Sequence, residues 1–364
     1  MYLRFDEIVA TIDNDPLEDD QSWLIFIADT HQDQLDDLIA KLGHVRFCGA
    51  VVPGLIFGKE MLSEGAVVRK LRFLAPPAFV PLPSTREYID QLPALSDIPT
   101  DGATCLCLVD HLSKNIDDLL IQIYNRFGPR CSYFGAGTGN RQLTPAPTVF
   151  GNWGKYNNDA LIGIIAQPSR CTSKHGWKRF QGPTIANRTT GNAVHEFDWD
   201  TAETAFRKML PAALKNTPPD QFYKEITHKY ALAIEYPGMD DILRDPVAVA
   251  DNGDIIFASD IPSGSLMYMV NSTPDDLINA ACYTMNNEAI TLETQSIFVC
   301  ECFSRTIILG ARHSEELDAV HSKLMSINSS IELEGIITLG EITSDGNRPV
   351  HLHYKTFGVC GFYD

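Results

Sequence analysis

The chain has 364 residues, of which 44% are hydrophobic and 21% charged, a composition typical of a folded protein and too apolar for a disordered one. Its 29 lysines and arginines against 47 aspartates and glutamates give a net charge of −18. That charge argues against nucleic acid or an anionic membrane as a partner, because both bind basic surfaces.

Neither a signal peptide nor a membrane-spanning segment is predicted. The N-terminal segment is acidic and lacks the basic, apolar and small-residue order of a signal peptide, and no apolar run approaches the length of a bilayer span. The nine cysteines are an odd number and lie mostly in strand-like runs, so we interpret them as reduced thiols. We therefore expect a cytoplasmic protein.

A strand, a helix and further strands recur three times along the chain. The copies begin in strand-like apolar runs at Trp23, Cys105 and Ile297. Apolar side chains at helical spacing follow at 34–42, 115–127 and 314–327. Strands that are apolar on both faces must be covered. The pattern therefore predicts an α/β (α+β) fold of mixed β-sheets covered by helices, built from repeated β-α-β-β units in two related lobes.

Breaks in this pattern suggest domain boundaries. The proline-rich segment 75–99 separates the first two copies, and Thr217-Pro218-Pro219-Asp220 follows a helical stretch. We predict an N-terminal extension (1–21), an N-terminal domain (22–221) and a C-terminal domain (222–364).

Common enzyme motifs are missing. The sequence contains no Walker loop, strand-coupled G-x-G-x-x-G, H-E-x-x-H or C-x-x-C pattern. The glycine-rich segment 135–139 precedes prolines, not a helix, which favours a turn at a strand end over phosphate binding. Cys105 with Cys107, and Cys300 with Cys302, are spaced to share one face of a strand, and we interpret them as buried thiols, with a metal or redox role as the alternative.

Six residues are candidate ligand contacts: His175, Trp177, Cys302, Arg305, Glu341 and His353. The guanidinium of Arg305 could clamp a carboxylate, Glu341 could accept a hydrogen bond from an ammonium group, and Trp177 could cover an apolar part. This set suits an amino acid. The alternative for each histidine is a hydrogen-bonded structural role, and no metal ligand set is predicted.

Segments spread along the chain, from about residue 22 to about residue 362, together resemble the FIST family, named for F-box and intracellular signal transduction proteins. In the N-terminal part they are 135–140, Lys174-His175-Gly176-Trp177, Gly182-Pro183 and 191–198. In the C-terminal part they are 243–249, 252–254, 261–265, 302–305, 335–342 and 352–356. The chain departs from the family pattern at 49–55, where a carboxylate is missing, at Asn140 and at Tyr354-Lys355.

The resemblance implies a FIST N-terminal domain, a FIST C-terminal domain and a sensory role. FIST domains are thought to bind small ligands, with amino acids proposed, and they occur with histidine kinases and chemotaxis receptors. A subset of stand-alone bacterial members binds haem and reports nitric oxide to a kinase. Because this sequence has no kinase, receptor or F-box segment, we expect it to signal through a separate protein.

Four functional hypotheses remain open at this stage. The first is a cytoplasmic sensor, not an enzyme, that binds a small ligand such as an amino acid at the junction of two lobes and signals to a histidine kinase or another partner. The second is a haem sensor of nitric oxide with His175 or His353 as the axial ligand. The third is a hydrolase with Cys302 as the nucleophile, and the fourth is an interaction scaffold without a ligand.

Overall fold

Three repeated units form most of the structure, a computed structural model that describes residues 1–83, 86–218, 221–236, 239–286 and 289–363. The domain boundary predicted between residues 221 and 222 rests on the segment Thr217-Pro218-Pro219-Asp220, of which Pro219 and Asp220 lie outside the described residues. Within the described helices, none is long and apolar enough to cross a membrane.

The first unit contains six strands and two helices. They are β1 (Tyr2–Leu3), α1 (Ile8–Asp13), β2 (Gln21–Ala28), α2 (Leu35–Leu42), β3 (Phe47–Val52), β4 (Gly54–Phe57), β5 (Glu60–Leu62) and β6 (Ala66–Arg72). Strand β2 is buried on both faces, which explains its uninterrupted apolar sequence.

The second unit repeats this order. It contains β7 (Ala78–Pro81), α3 (Arg86–Asp90), β8 (Ala103–Asp110), α4 (Ile116–Phe127), β9 (Cys131–Thr138), β10 (Val149–Gly151), β11 (Gly154–Tyr156) and β12 (Asp159–Ile165). The glycines at 135 and 137 lie inside β9 rather than in the predicted turn. A Cβ atom at either position would overlap a backbone carbonyl of a neighbouring segment.

The third unit is interrupted by an insertion. It begins with β13 (Ser169–Lys174). The insertion contains β14 (Lys178–Thr190), β15 (Ala193–Phe197), β16 (Asp200–Thr201), α5 (Ala202–Met209), β17 (Tyr230–Ile234), β18 (Ile242–Arg244), β19 (Pro246–Val249), β20 (Ile255–Phe257) and β21 (Ser265–Asn271). The unit resumes with α6 (Pro274–Thr284), β22 (Ser296–Cys302), α7 (Phe303–Leu309), α8 (His313–Ile327), β23 (Glu334–Thr338), β24 (Glu341–Ser344), β25 (Leu352–His353) and β26 (Phe357–Phe362).

Each unit contributes four strands to its own six-stranded sheet. Its other two strands form a hairpin that completes the sheet of a neighbouring unit. Sheet 1 has the order β1-β6-β2-β3-β10-β11, sheet 2 has β7-β12-β8-β9-β24-β25, and sheet 3 has β13-β26-β22-β23-β4-β5. The last two strands of each sheet are the exchanged hairpin. The exchange is cyclic, because the second unit supplies the hairpin of sheet 1, the third unit that of sheet 2 and the first unit that of sheet 3.

The three sheets share one core. Their inner faces meet where the ring of Phe298 from sheet 3 lies 5.2 Å from that of Phe26 in sheet 1 and 5.8 Å from that of Phe134 in sheet 2. Helices cover the outer faces: α1 and α2 pack on sheet 1, α3 and α4 on sheet 2, and α6 and α8 on sheet 3. This arrangement confirms the predicted α+β class of mixed sheets covered by helices.

The insertion forms a fourth sheet with its own apolar cluster around α5. The sequence suggested two related lobes, but the repeated units do not divide in that way. Three sheets interlock through exchanged hairpins, and the fourth sheet is attached to them. The physical reason is that each apolar inner face is covered by the other two sheets, which requires three units around one core.

Candidate functional site

The hydrogen-bond registers of the three sheets align their residues position by position. One row crosses each sheet from the edge strand to the exchanged hairpin on the inner face. It contains Tyr2, Val67, Phe26, Ala50, Val149 and Tyr156 in sheet 1. It contains Phe79, Leu161, Leu108, Ala136, Glu341 and His353 in sheet 2. It contains Ser173, Gly358, Cys300, Ile336, Leu55 and Leu62 in sheet 3.

The edge strand of each sheet lies beside the exchanged hairpin of another sheet. We call these three contact regions seams; in each of them, the first residue of one row lies near the last residues of another row. Aromatic and aliphatic side chains occupy the first two seams. In the first, Tyr2 lies 6.0 Å from Phe57, measured between ring centroids, and in the second Phe79 lies 4.4 Å from Tyr156. Both seams are continuous with the shared core.

Polar residues occupy the third seam, between β13 of sheet 3 and β24–β25 of sheet 2. Ser173 stands where the other edge strands have Tyr2 and Phe79, and His353 stands where the other hairpins have Leu62 and Tyr156. Small and polar side chains cannot fill the space that aromatic rings fill elsewhere. A cavity of about 670 Å³ opens at this seam.

Hydroxyl groups line much of the cavity. They belong to Ser132, Ser169, Thr172, Ser173, Thr343, Ser344 and Thr356. The Thr343 hydroxyl donates to that of Ser173 at 2.7 Å, which joins the two sides of the seam. Hydroxyls both donate and accept hydrogen bonds, so this wall suits a polar ligand.

Two predicted residues, His175 and His353, line the same cavity. The Nδ1 atom of His175 accepts a hydrogen bond from the backbone N–H of Trp177 at 2.8 Å. Burial lowers the pKa of His175. The ring is therefore neutral at pH 7, with its proton on Nε2.

The imidazole of His353 makes no hydrogen bond to any residue within the described part of the chain. Burial lowers its pKa to about 3, and the nearby His351 adds to this effect. The neutral ring offers one donor and one acceptor. Because it lines the cavity and its ring nitrogens form no hydrogen bond with the described residues, His353 is the residue best placed to bind a ligand directly.

Glu341 lies beneath the cavity rather than on its surface. Its carboxyl group is fully buried and accepts hydrogen bonds from the hydroxyl of Thr338 at 2.5 Å and from that of Thr356 at 2.6 Å. Burial raises the pKa of Glu341 to about 8, although these hydrogen bonds oppose the rise. The group is mostly protonated at pH 7, and it reaches the cavity through Thr356, which is part of the lining.

The structure places the other three predicted residues in the packed interior. Arg305 is fully buried, and its guanidinium donates to Glu316 and to the backbone carbonyls of His175, Leu277 and Lys355. These partners occupy the donor groups that the sequence analysis had assigned to a carboxylate ligand. Arg305 instead holds the backbone that carries His175.

Trp177 and Cys302 are also buried away from the cavity lining. The Trp177 ring packs between sheet 4 and helices α6 and α7, with the ammonium of Lys355 at 5.1 Å from the ring centroid. Burial raises the pKa of Cys302 to about 12, and its thiol contacts the Ser304 hydroxyl at 3.1 Å. A protonated thiol is a weak nucleophile, so this geometry does not favour the hydrolase hypothesis.

The mouth of the cavity carries both signs of charge. Two of its acidic residues are paired: Asp240 with Lys174 at 2.7 Å, and Asp241 with Arg179 at 2.7 Å. Arg348 lines the cavity and forms no ion pair with the residues that the structure describes. Its guanidinium could therefore bind an anionic group of a ligand.

A group of buried side chains with potential metal-ligating atoms lies elsewhere, in β22 and α8. The ligand atoms of Glu301, His313 and Glu316 lie within 4.8 Å of one another. Arg305 pairs with Glu316, and the His313 ring hydrogen-bonds to Glu301 at 2.9 Å. Burial opposes the charged form of His313, but the Glu301 carboxylate outweighs it and raises the pKa of His313. These internal pairs neutralise both carboxylates, which makes the cluster a structural ion-pair network.

Sequence reasoning missed Ser173, Thr343, Thr356 and Arg348. Single polar residues in strands carry no signal by themselves. An alignment of the three repeats in the observed register does carry a signal, because the third seam has serine and histidine where the other two seams have large apolar residues.

Comparison with known families gives two matches that together cover most of the chain. The model of the FIST N domain matches residues 22–200, and that of the FIST C domain matches residues 202–344. Among curated proteins, no match was found. The third seam takes β13 from within the first matched region and β24 from within the second.

Proposed function

The chain belongs to the FIST family, and from this membership and the geometry of the third seam we propose that it is a sensor that binds a small polar ligand between β13 and the β24–β25 hairpin. FIST domains are associated with signal-transduction sensors that bind small ligands. Our proposal adds the location of the site and the class of ligand, an amino acid or a similar zwitterion.

The contrast among the three seams supports this location most directly. The same fold closes two seams with tyrosine, phenylalanine and leucine, and it leaves the third open. Water can fill a polar cavity of this kind, but it does not replace the packing contacts that the apolar side chains make in the other two seams. The polar residues of the third seam are therefore better explained by a ligand than by packing.

The chemistry of the lining fits the two ends of an amino acid. Arg348 offers a cation to a carboxylate, and the neutral ring of His353 offers an acceptor to an ammonium group. Protonated Glu341 beneath Thr356 adds little negative charge that would repel a carboxylate. The hydroxyl groups can bind polar atoms of the side chain.

A ligand at this seam would contact residues from three of the four sheets. Residues 239–241, between β17 and β18 of sheet 4, lie at the mouth of the cavity, whose walls come from sheets 2 and 3. A ligand that touches both sides favours the arrangement in which both sides are in contact. We propose that a separate signalling protein, such as a histidine kinase, recognises that arrangement.

Haem fits this cavity poorly. An unpaired imidazole such as that of His353 could serve as an axial ligand, but the porphyrin faces need apolar walls, and here the lining consists mainly of hydroxyl-bearing and charged side chains. We therefore favour a small polar ligand over haem. A Soret band after incubation with haem that is lost in His353→Ala would reverse this preference.

The proposal is tested by isothermal titration calorimetry of the purified chain with each of the standard amino acids. We expect at least one to bind the wild type. Ser173→Tyr should weaken that binding at least tenfold, because tyrosine is the residue that β1 places at the equivalent position. Arg348→Gln should also weaken it about tenfold, through loss of a charge-assisted hydrogen bond.

The matched control is Ser326→Tyr, the same replacement at an exposed position of α8, which should leave binding unchanged. Melting curves of all variants establish that each is folded. Unaltered affinity in folded Ser173→Tyr would place the ligand elsewhere, and no heat from any amino acid with the folded wild type would refute this ligand class.

A further inference from the structure

Two cysteines lie opposite each other on neighbouring strands of sheet 3, next to the cavity. Cys171 on β13 is the direct antiparallel partner of Cys360 on β26. Their sulfur atoms are 3.1 Å apart, and neither cysteine is in a disulfide. The pair is one position removed along the inner face from Ser173 and Gly358, and Cys171 is itself part of the cavity lining.

The backbone already has the geometry that a disulfide requires. Directly opposed residues of an antiparallel pair have Cα atoms about 4.5–5.5 Å apart, and disulfides join Cα atoms about 4.4–6.8 Å apart. The sulfur atoms need to approach by only about 1 Å to reach bonding distance. Side-chain rotation can supply that movement without separating the strands.

The two thiols differ in their access to the cavity, which makes Cys171 the one that meets peroxide first and Cys360 the one that reacts second. Cys171 is the one that a small solute in the cavity can reach. Cys360 is fully buried, and burial raises its pKa, while the charge of Arg69 opposes part of that rise. The guanidinium of Arg69 lies 5.3 Å from the ring centroid of Phe362, two residues from Cys360 on the same strand.

We propose that Cys171 and Cys360 form a redox-sensitive pair that is converted from dithiol to disulfide by hydrogen peroxide entering through the cavity. The proposal does not depend on the identity of the ligand or on a sensory role. The disulfide joins the edge strand β13 covalently to β26, and so fixes the strand that provides one wall of the cavity.

The reaction proceeds in two steps. The thiolate of Cys171 attacks one oxygen of the peroxide, the O–O bond breaks, and Cys171 becomes a sulfenic acid while the other oxygen leaves with the released thiol proton as water. The sulfur of Cys360 then attacks that of Cys171, and the hydroxyl group leaves with the proton of Cys360 as a second water. Two thiols lose two electrons, and one peroxide is reduced to two waters.

Peptide mapping of the full chain tests the proposal. The protein is treated with hydrogen peroxide, its remaining thiols are blocked with iodoacetamide, and it is digested with trypsin without reduction. Cleavage after Arg170, Lys174 and Lys355 places the two cysteines in peptides 171–174 and 356–364. We expect these peptides to be linked after oxidation and to separate on treatment with dithiothreitol.

Variants distinguish this pair from other thiols. In Cys360→Ser, dimedone should label Cys171, because the sulfenic acid then has no partner. Cys105→Ser should leave the link intact, since the Cys105 and Cys107 thiols, 3.7 Å apart, belong to sheet 2. The melting temperature should rise on oxidation of the wild type, through closure of a long loop, and not rise in Cys360→Ser. Absence of the linked peptides after oxidation would overturn the proposal, whether other thiols are consumed or none is.

Discussion

Glu341 replaces an apolar residue of the repeat and is held in its protonated form by burial. Its counterparts in the other two sheets are Val149 and Leu55. A charged carboxylate at this position would be costly, because it is fully buried and only the hydroxyl and backbone N–H groups of its neighbours can compensate. The raised pKa of about 8 is the consequence.

The raised pKa of Glu341 makes the free energy of unfolding depend on pH. In the unfolded chain the carboxyl group loses its proton near its ordinary pKa, whereas in the folded protein it keeps the proton up to about pH 8. Stability therefore falls as the pH rises from about 5 to 8, by about 1.4 kcal/mol per unit where only the unfolded state has ionised.

We predict that Glu341→Gln removes this loss, because glutamine resembles the protonated acid in shape and cannot ionise. Relative to the wild type, the variant should gain about 3 kcal/mol of stability between pH 5 and pH 8, measured by urea denaturation at both values. Glu87→Gln, at an exposed position of α3, is the control. Parallel pH profiles of wild type and Glu341→Gln would contradict the prediction.

The candidate site was partly predictable from the sequence at this scale. His175 and His353, almost half the chain apart, do line one cavity. Their chemistry was visible in the sequence, but the burial of Arg305 was not, because its ion-pair partner Glu316 is defined only once α7 and α8 pack together. A local sequence does not indicate whether an arginine will meet a ligand or an internal carboxylate.

At the level of strands and hairpins, the seams make a direct comparison of equivalent residues possible. Tyr156 and His353 occupy the same position in two exchanged hairpins. Tyr156 packs on Phe79 and the shared core, whereas the ring of His353 borders a cavity. Their contributions to stability should therefore differ.

We predict that Tyr156→Ala lowers the free energy of unfolding by about 1–2 kcal/mol, because it removes a half-buried ring from a packed seam. His353→Ala should change it by less than about 0.5 kcal/mol without ligand, since its ring makes no hydrogen bond within the described residues. Urea denaturation of both variants gives the comparison. A loss in His353→Ala as large as that in Tyr156→Ala would mean that the histidine is a packing residue.

The repeated units themselves were predictable, and the exchange of hairpins was not. Runs such as β2 and β8 are apolar on both faces, and helices such as α4 have one apolar face, so periodicity indicates each element. Strand pairing has no comparable local signal. Strand β4 follows β3 by one residue, yet it pairs with β23 near the other end of the chain.

The exchange has a consequence for the whole molecule, because neither matched FIST region contains a complete set of sheets. Sheet 2 needs the β24–β25 hairpin from the C-terminal part, and sheet 3 needs β4, β5 and β13 from the N-terminal part. A cut between the regions leaves the inner edge of β9 without a partner and exposes the faces that form the shared core. Unpaired edges and exposed apolar faces favour aggregation.

We predict that fragments 1–201 and 202–364 do not fold when expressed separately and form a folded complex when co-expressed. Each fragment alone should bind the dye ANS and melt without a cooperative transition, while the co-expressed pair should elute together in size-exclusion chromatography and melt cooperatively. A chain nicked by an engineered protease site at 16–18, between α1 and β2, is the control, since that cut leaves every exchanged hairpin on the same fragment as the sheet that it completes. A sharp melting transition in fragment 1–201 alone would show that the N-terminal part is an independent domain, and the interlocked core would then not be what holds the two FIST regions together.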